Sequence, residues 1–152
     1  MYSRMLVPID GSEPSERGLQ EAIKLAQALR AAIRLVHVVD LGSAMTSEVM
    51  GAASESLLEM LRRDGERLLQ DAAAIVSRAA IQVDTLLLEM PDLPVGACIV
   101  GKARDGAVDL IICGTHGRRG LRRLLLGSTA EYVVRHAPIP VLLIRCNEAH
   151  SL

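Results

Sequence analysis

The chain has 152 residues, 17 of them basic and 18 acidic, for a formal charge of −1. That length fits one domain, residues 1–152, which buries roughly 68–70% of the surface its unfolded chain exposes and needs no disulfide staples. The balanced charge excludes a whole-protein field that draws the chain to nucleic acid or to an anionic membrane. With two aromatic residues, Tyr2 and Tyr132, an aromatic platform for stacking single-stranded nucleic acid is nearly unavailable.

In chain order, short runs rich in Val, Ile and Leu alternate with longer stretches whose apolar residues recur at helical spacing. Residues 4–9 read as a first strand. Leu19, Ala22, Ile23, Ala26 and Leu29 then mark one face of a helix, with Ser12 as N-cap and Pro14 in the first turn. Residues 33–39 form the second strand, and residues 42–53, without a clear period and rich in small residues and Met, read as a loop. The stripe Leu57, Leu58, Leu61, Leu68, Leu69, Ala72, Ile75 and Val76 marks a second helix starting near Ser54. A strand over 81–89, a helix over 94–105, a strand over 110–113, a helix over 128–136 and a strand over 141–145 complete the chain, with Pro138 and Pro140 ending the last helix.

The order βαβαβαβαβ predicts a doubly wound parallel α/β sheet, strand order 3-2-1-4-5, with helices on both faces. Ligands of such sheets collect where the winding reverses, beside the carboxyl ends of strands 1 and 4. Those ends are Asp10 and Gly114.

Cys98, Cys113 and Cys146 are odd in number, form no C-x-x-C pair and lie at no zinc-ligand spacing from His37, His116, His136 or His150. They read as reduced thiols. No basic start leads into an apolar run and cleavage site, and no stretch approaches about 18 apolar residues, so the expected location is the cytoplasm, with no membrane partner.

The densest chemical signal is Gly114-Thr-His-Gly117, nine residues, then Gly127-Ser-Thr129. Glycine lets backbone amides approach a ligand, and a following helix start offers free N–H groups and a positive dipole end, a combination suited to phosphate. Two other readings stay open: Gly114 and Gly117 as simple turns, and Ser128-Thr-Ala-Glu131 as a capping box. Asp10 reads either as a helix-start or loop anion or as an acceptor for ribose hydroxyls and a ligand for Mg²⁺. Arg118, Arg119, Arg122 and Arg123 are placed either to fork phosphate oxygens or to form a solvated face. His116 has no second acid or base spaced to orient it, and His37 reads as a hydrogen-bonded core residue; no catalytic residue is assigned.

The Gly-x-x-Gly, nine-residue, Gly-Ser pattern resembles the signature of the ATP-binding branch of the universal stress proteins. The resemblance extends to Val7-Pro-Ile-Asp-Gly-Ser12, His37-Val-Val-Asp40, Val108-Asp-Leu-Ile111 and Pro140-Val-Leu-Leu143. It implies that Asp10 contacts ribose or a phosphate-bound metal, that the Val38 main chain reads adenine, and that Gly114 lies against the ribose. Gly117, Gly127, Ser128 and Thr129 would cradle the phosphates; the forked-arginine reading, apart from the resemblance, adds Arg118. The expected cofactor is ATP, or ADP or AMP, with Mg²⁺. A homodimer through the edge strand at residues 140–145 (Pro140-Val-Leu-Leu-Ile-Arg145) and an unidentified protein partner in a stress response are also implied.

The expected function is therefore a nucleotide-binding regulatory protein acting as a switch or sensor. A slow ATP hydrolase or adenylyl-transferring enzyme is the second reading, disfavoured because there is no G-x-x-x-x-G-K-[ST] loop and no arranged nucleophile and base. A dimeric scaffold that binds no nucleotide is the third. A dinucleotide oxidoreductase is set aside because the first strand–helix turn, Asp10-Gly-Ser-Glu-Pro-Ser15, lacks G-x-G-x-x-G.

Overall fold

The structure is a computed structural model and describes residues 1–40, 52–90, 92–115 and 126–145. Nine elements follow in order: β1 (Arg4–Pro8), α1 (Glu13–Leu29), β2 (Ala32–Val39), α2 (Ala52–Arg78), β3 (Val83–Glu89), α3 (Val95–Arg104), β4 (Leu110–Gly114), α4 (Ser128–His136) and β5 (Val141–Ile144). All five strands are parallel, in the order β3-β2-β1-β4-β5. The expected topology is the observed one. The expected loop over 42–53 falls mostly outside the described residues, and its last two positions, Ala52 and Ala53, open α2.

Alternation along the strands builds two cores. Met5, Val7 and Ile9 of the β1 segment, Ile33 and Leu35 of β2, and Leu110 and Ile112 of β4 pack with α1 and α2. Leu6, Val36, Val38 and Ile111 face the other way, onto Cys98, Ile99 and Val100 of α3 and Val133 of α4. Two covered faces explain why the strands read as continuous apolar runs.

β3 begins two residues later than the sequence suggests, because Ile81 belongs to the close of α2. Its N–H donates back to the Val76 carbonyl at 3.4 Å, and Ala80 takes the left-handed conformation at φ 58°. α1 closes in the same manner, with Arg30 at φ 56° and Ala31 N–H donating to Ala26 at 3.0 Å. Both are six-to-one closures, here built without glycine.

Asp109 fastens the amino end of the sheet. Its carboxylate accepts from Ser3 N–H and Ser3 Oγ at 2.7 Å each and from Arg4 N–H at 3.1 Å, while its own N–H donates to the Arg4 carbonyl at 2.9 Å. At the carboxyl end, α1 lies directly against β4. A Cβ added to Gly114 would stand 2.6 Å from the Pro14 carbonyl oxygen, and one added to Gly18 would meet Gly114 N at 3.4 Å. Glycine at 114 is thus required by the backbone of α1.

Replacing Gly114 by Ala should destabilise the fold by about 1–3 kcal/mol, the usual cost of forcing extra volume into a packed contact, measured as a lowered denaturant midpoint. Asp109 supplies a pH-dependent term. Burial pushes its carboxyl up, but the hydrogen bonds with Ser3 and Arg4 outweigh that and hold it below the ordinary range. The stabilisation is therefore complete above the unfolded-state value of about 3.9 and is lost as pH falls below it, through the lower folded-state value. Asp109→Asn should cost on the order of 1 kcal/mol at pH 7 for this half-exposed group, with the difference from wild type shrinking in acid unfolding below about pH 4.

Candidate functional site at the carboxyl rim of the sheet

β1 and β4 are neighbours, yet the chain leaves β1 toward β2 and leaves β4 toward β5. Crossovers departing in opposite directions open a crevice above their carboxyl ends. Asp10 and Thr115 stand on its two sides.

On the β1 side the turn into α1 is tied by short polar bonds. Asp10 Oδ1 accepts from Ser12 N–H at 2.9 Å and from Ser12 Oγ at 2.5 Å, and Asp10 N–H donates to Ser15 Oγ at 3.1 Å. Ser15 Oγ donates in turn to the Pro8 carbonyl at 3.3 Å. Ser12 is the N-cap of α1, its hydroxyl accepting from Ser15 N–H at 3.3 Å. Asp10 is therefore no helix cap. Gly11, between Asp10 and Ser12, sits at φ 78°, where a side chain would be strained.

On the β4 side the two halves of the glycine motif meet. Thr115 N–H donates to the Ile144 carbonyl at 3.0 Å, and Gly127 N–H donates to the Thr115 carbonyl at 2.8 Å. The nine-residue spacing thus brings the start of α4 back to the end of β4. Gly117 and Arg118, with His116, Arg119, Arg122 and Arg123, lie outside the described residues.

Gly127 is the N-cap of α4 at φ −61° and ψ 151°, a conformation open to any residue, and no side chain among the described residues caps the helix. The capping box, one of the readings left open for Ser128 and Glu131, is not made. Ser128 is already the first helical residue, and Glu131 pairs with Arg135 at 2.9 Å. The box fails because the chain enters the helix one residue earlier than that reading requires. Ser128 and Thr129 open the first turn of α4, whose leading amides have no acceptor within the helix.

Val38 lies one strand over, on β2. Its side chain is buried against the α3 side, as expected of a core valine. Its main chain faces β1, whose pairing with β2 ends at Pro8–Val36. His37 is buried, and its Nδ1 bonds the Ile9 carbonyl at 2.6 Å, which bears out its reading as a hydrogen-bonded core residue.

Asp10, Val38, Gly114, Gly127, Ser128 and Thr129 thus share the carboxyl rim. Among the described residues no group of three or more His, Cys, Asp or Glu side chains could hold a metal on its own. Asp10 as a single carboxylate ligand fits Mg²⁺ only with phosphate oxygens and water filling the remaining positions. Cys98 and Cys113 are buried free thiols; burial raises both and pushes Cys113 to about 11. Neither is an activated nucleophile. Sequence reasoning missed Gly18 and Gly65 altogether, since a glycine within a helical stripe gives no sign of what it faces.

Comparison with known proteins agrees with this architecture. The signature of the universal stress protein family matches residues 1–145. A universal stress protein of Methanocaldococcus jannaschii is 32% identical over 145 residues, covering 95% of this chain and 83% of that protein. The structure of universal stress protein UspA from Lactobacillus plantarum superposes with a TM-score of 0.82 at 28% identity, covering 95% of this chain and 98% of the other. A more distant neighbour, the universal stress protein from Archaeoglobus fulgidus in complex with dAMP, shares the fold at a TM-score of 0.66 and 23% identity, over 94% and 98% of the two chains. A signature that runs through all nine elements, joined to a 32% identical relative of nearly the same extent, shows that the chain belongs to the universal stress protein family.

Proposed function

We propose that this protein binds an adenine nucleotide, foremost ATP with Mg²⁺, at the carboxyl rim between β1 and β4, and that occupancy serves as a regulatory switch in a stress response. The observation that carries the reading is the Gly127–Thr115 bond, which delivers an uncapped helix start to the strand end where winding reverses. Amides without helical acceptors and the positive end of the α4 dipole suit phosphate oxygens there. Gly127 needs no special backbone conformation, and in this reading its missing side chain leaves room for a ligand. A family member in complex with dAMP supports an adenine nucleotide as the ligand class.

In this reading Asp10 meets the ribose or Mg²⁺, Val38 offers its main chain to the base, and Gly114 borders the ribose. Gly117, Arg118, Gly127, Ser128 and Thr129 surround the phosphates. With no general base assigned, hydrolysis is at most slow. Dimerisation through β5 is part of the proposal. The Pro140 and Ile144 carbonyls face β4, so by alternation the main chains of Val141 and Leu143 point outward from a sheet edge.

Titration calorimetry of the nucleotide-stripped protein should give saturable ATP binding that depends on Mg²⁺. Gly127→Val, which the local backbone accommodates, should weaken it at least tenfold, or about 1.4 kcal/mol. An unchanged affinity in that variant removes the α4 start from the nucleotide site, and no binding by the wild type defeats the reading and leaves a nucleotide-free scaffold. In light scattering the wild type should have the mass of two chains and Leu143→Asp that of one; a single-chain mass for the wild type removes the dimer.

A further inference from the structure

Backbone groups of a parallel strand point alternately to its two neighbours. In β2, Ala32 N–H donates to the Ser3 carbonyl at 2.9 Å and the Val36 carbonyl accepts from Ile9 N–H at 2.8 Å, so these residues face β1. Ile33 N–H donates to the Gln82 carbonyl, toward β3. By the same alternation, the N–H and C=O of Val38 face β1.

In an unbroken ladder the next rung would run from Val38 N–H to the Ile9 carbonyl. The register stops at Pro8–Val36 instead, and the Ile9 carbonyl accepts from a side chain, His37 Nδ1, at 2.6 Å. Because a carbonyl only accepts, Nδ1 carries a proton and donates it to Ile9. The ring is held in place from α2. A Cβ at Gly65 would stand 2.5 Å from His37 Cδ2, 3.0 Å from Nε2 and 2.9 Å from Leu87 Cδ1, so the helix has a notch where the imidazole lies.

We propose that His37 is a positioning residue of the nucleotide site: it satisfies the Ile9 carbonyl with its imidazole, ends the β1–β2 ladder one rung early, and leaves the main-chain N–H and C=O of Val38 to pair with the base. This deepens the function proposed above and rests on it. A donor and an acceptor side by side match a 6-aminopurine, which presents N1 as acceptor and the 6-amino group as donor. A 6-oxopurine presents the reverse pair, so His37 underwrites discrimination between the two through Val38.

The test has one arm without ligand and one with it. In the nucleotide-free wild type, the Val38 amide should exchange hydrogen much faster than the Val36 amide. His37→Asn, whose amide can donate from the place of Nδ1, should behave alike, whereas in His37→Leu the Val38 amide should become protected as the ladder closes. A protected Val38 amide in the free wild type overturns the inference whatever the protein binds.

In the second arm, ATP, inosine triphosphate and inorganic tripolyphosphate are titrated into wild type, His37→Asn and His37→Leu, with thermal melting to confirm folding. The wild type should prefer ATP to inosine triphosphate by roughly tenfold, the worth of an exchanged hydrogen bond. His37→Asn should keep the preference; His37→Leu should lose it with tripolyphosphate affinity unchanged. If the wild type shows the preference and His37→Leu keeps it, the positioning role falls and nucleotide binding stands. If the wild type binds no ATP, both fall. Should His37→Leu fail to fold, the wild type still decides, since ATP must protect the Val38 amide and an unaffected amide overturns the inference.

Discussion

The parallel strands end at different heights around a buried centre, and the rim of the molecule follows from that inequality. β1 is covered on both faces and paired on both edges, with Met5, Leu6 and Val7 fully buried. It holds five residues where its neighbour β2 holds eight. Once β1 turns away after Ile9, nothing else in a parallel sheet can fill its place without a new strand. The recess above β1 is therefore a product of packing, present before any ligand chemistry is considered.

Two helices start beside the crevice between β1 and β4 and differ in what they offer an anion. α1 has its Ser15 amide engaged by the Ser12 hydroxyl, has no N–H to offer at Pro14, and carries Glu13 and Glu16 in its first turn. Negative side chains there complement the dipole and repel further negative charge. Among the described residues α4 has no side-chain cap, and its acidic Glu131 is drawn toward Arg135. Any anion in the crevice is thus directed to the β4 side, while Asp10 and the serines beside it give the β1 side a character suited to hydroxyls and cations. The polarity of the crevice is set by which helix start carries its own cap.

Much of this was legible in the sequence because each element obeys local rules. The alternation of apolar runs and helical stripes gave nine elements, and the handedness of crossovers narrowed the strand orders to a few, with the observed one first among them. Asp10 and Gly114 could be placed on the rim from topology alone. What escaped was contact between elements. Ser128 and Glu131 have the spacing of a capping box, yet the Thr115–Gly127 bond sets the helix start one residue earlier. Ile81 reads as strand by composition and serves the end of α2. Gly18 and Gly65 look like weak points in helices until Gly114 and His37 are seen opposite them. Gly114 itself drew notice for a ligand, and its nearest demand turned out to be the Pro14 carbonyl. Main-chain direction at Val38 depends on register, which no single strand reveals.

The fastening of Ser3 and Arg4 by Asp109 joins residues 106 and 105 positions apart. The strand at the centre of the sheet is made before the other four, and its pairing with β4 cannot form until α1, β2, α2, β3 and α3 have followed. During synthesis β1 can pair only with β2, leaving one apolar edge waiting through more than a hundred residues. Long-range parallel pairing of this kind is slow and exposed to misassociation. In a protein of this design the centre of the finished sheet is therefore begun first and closed late, and the waiting edge of β1 is where a mistaken pairing would begin.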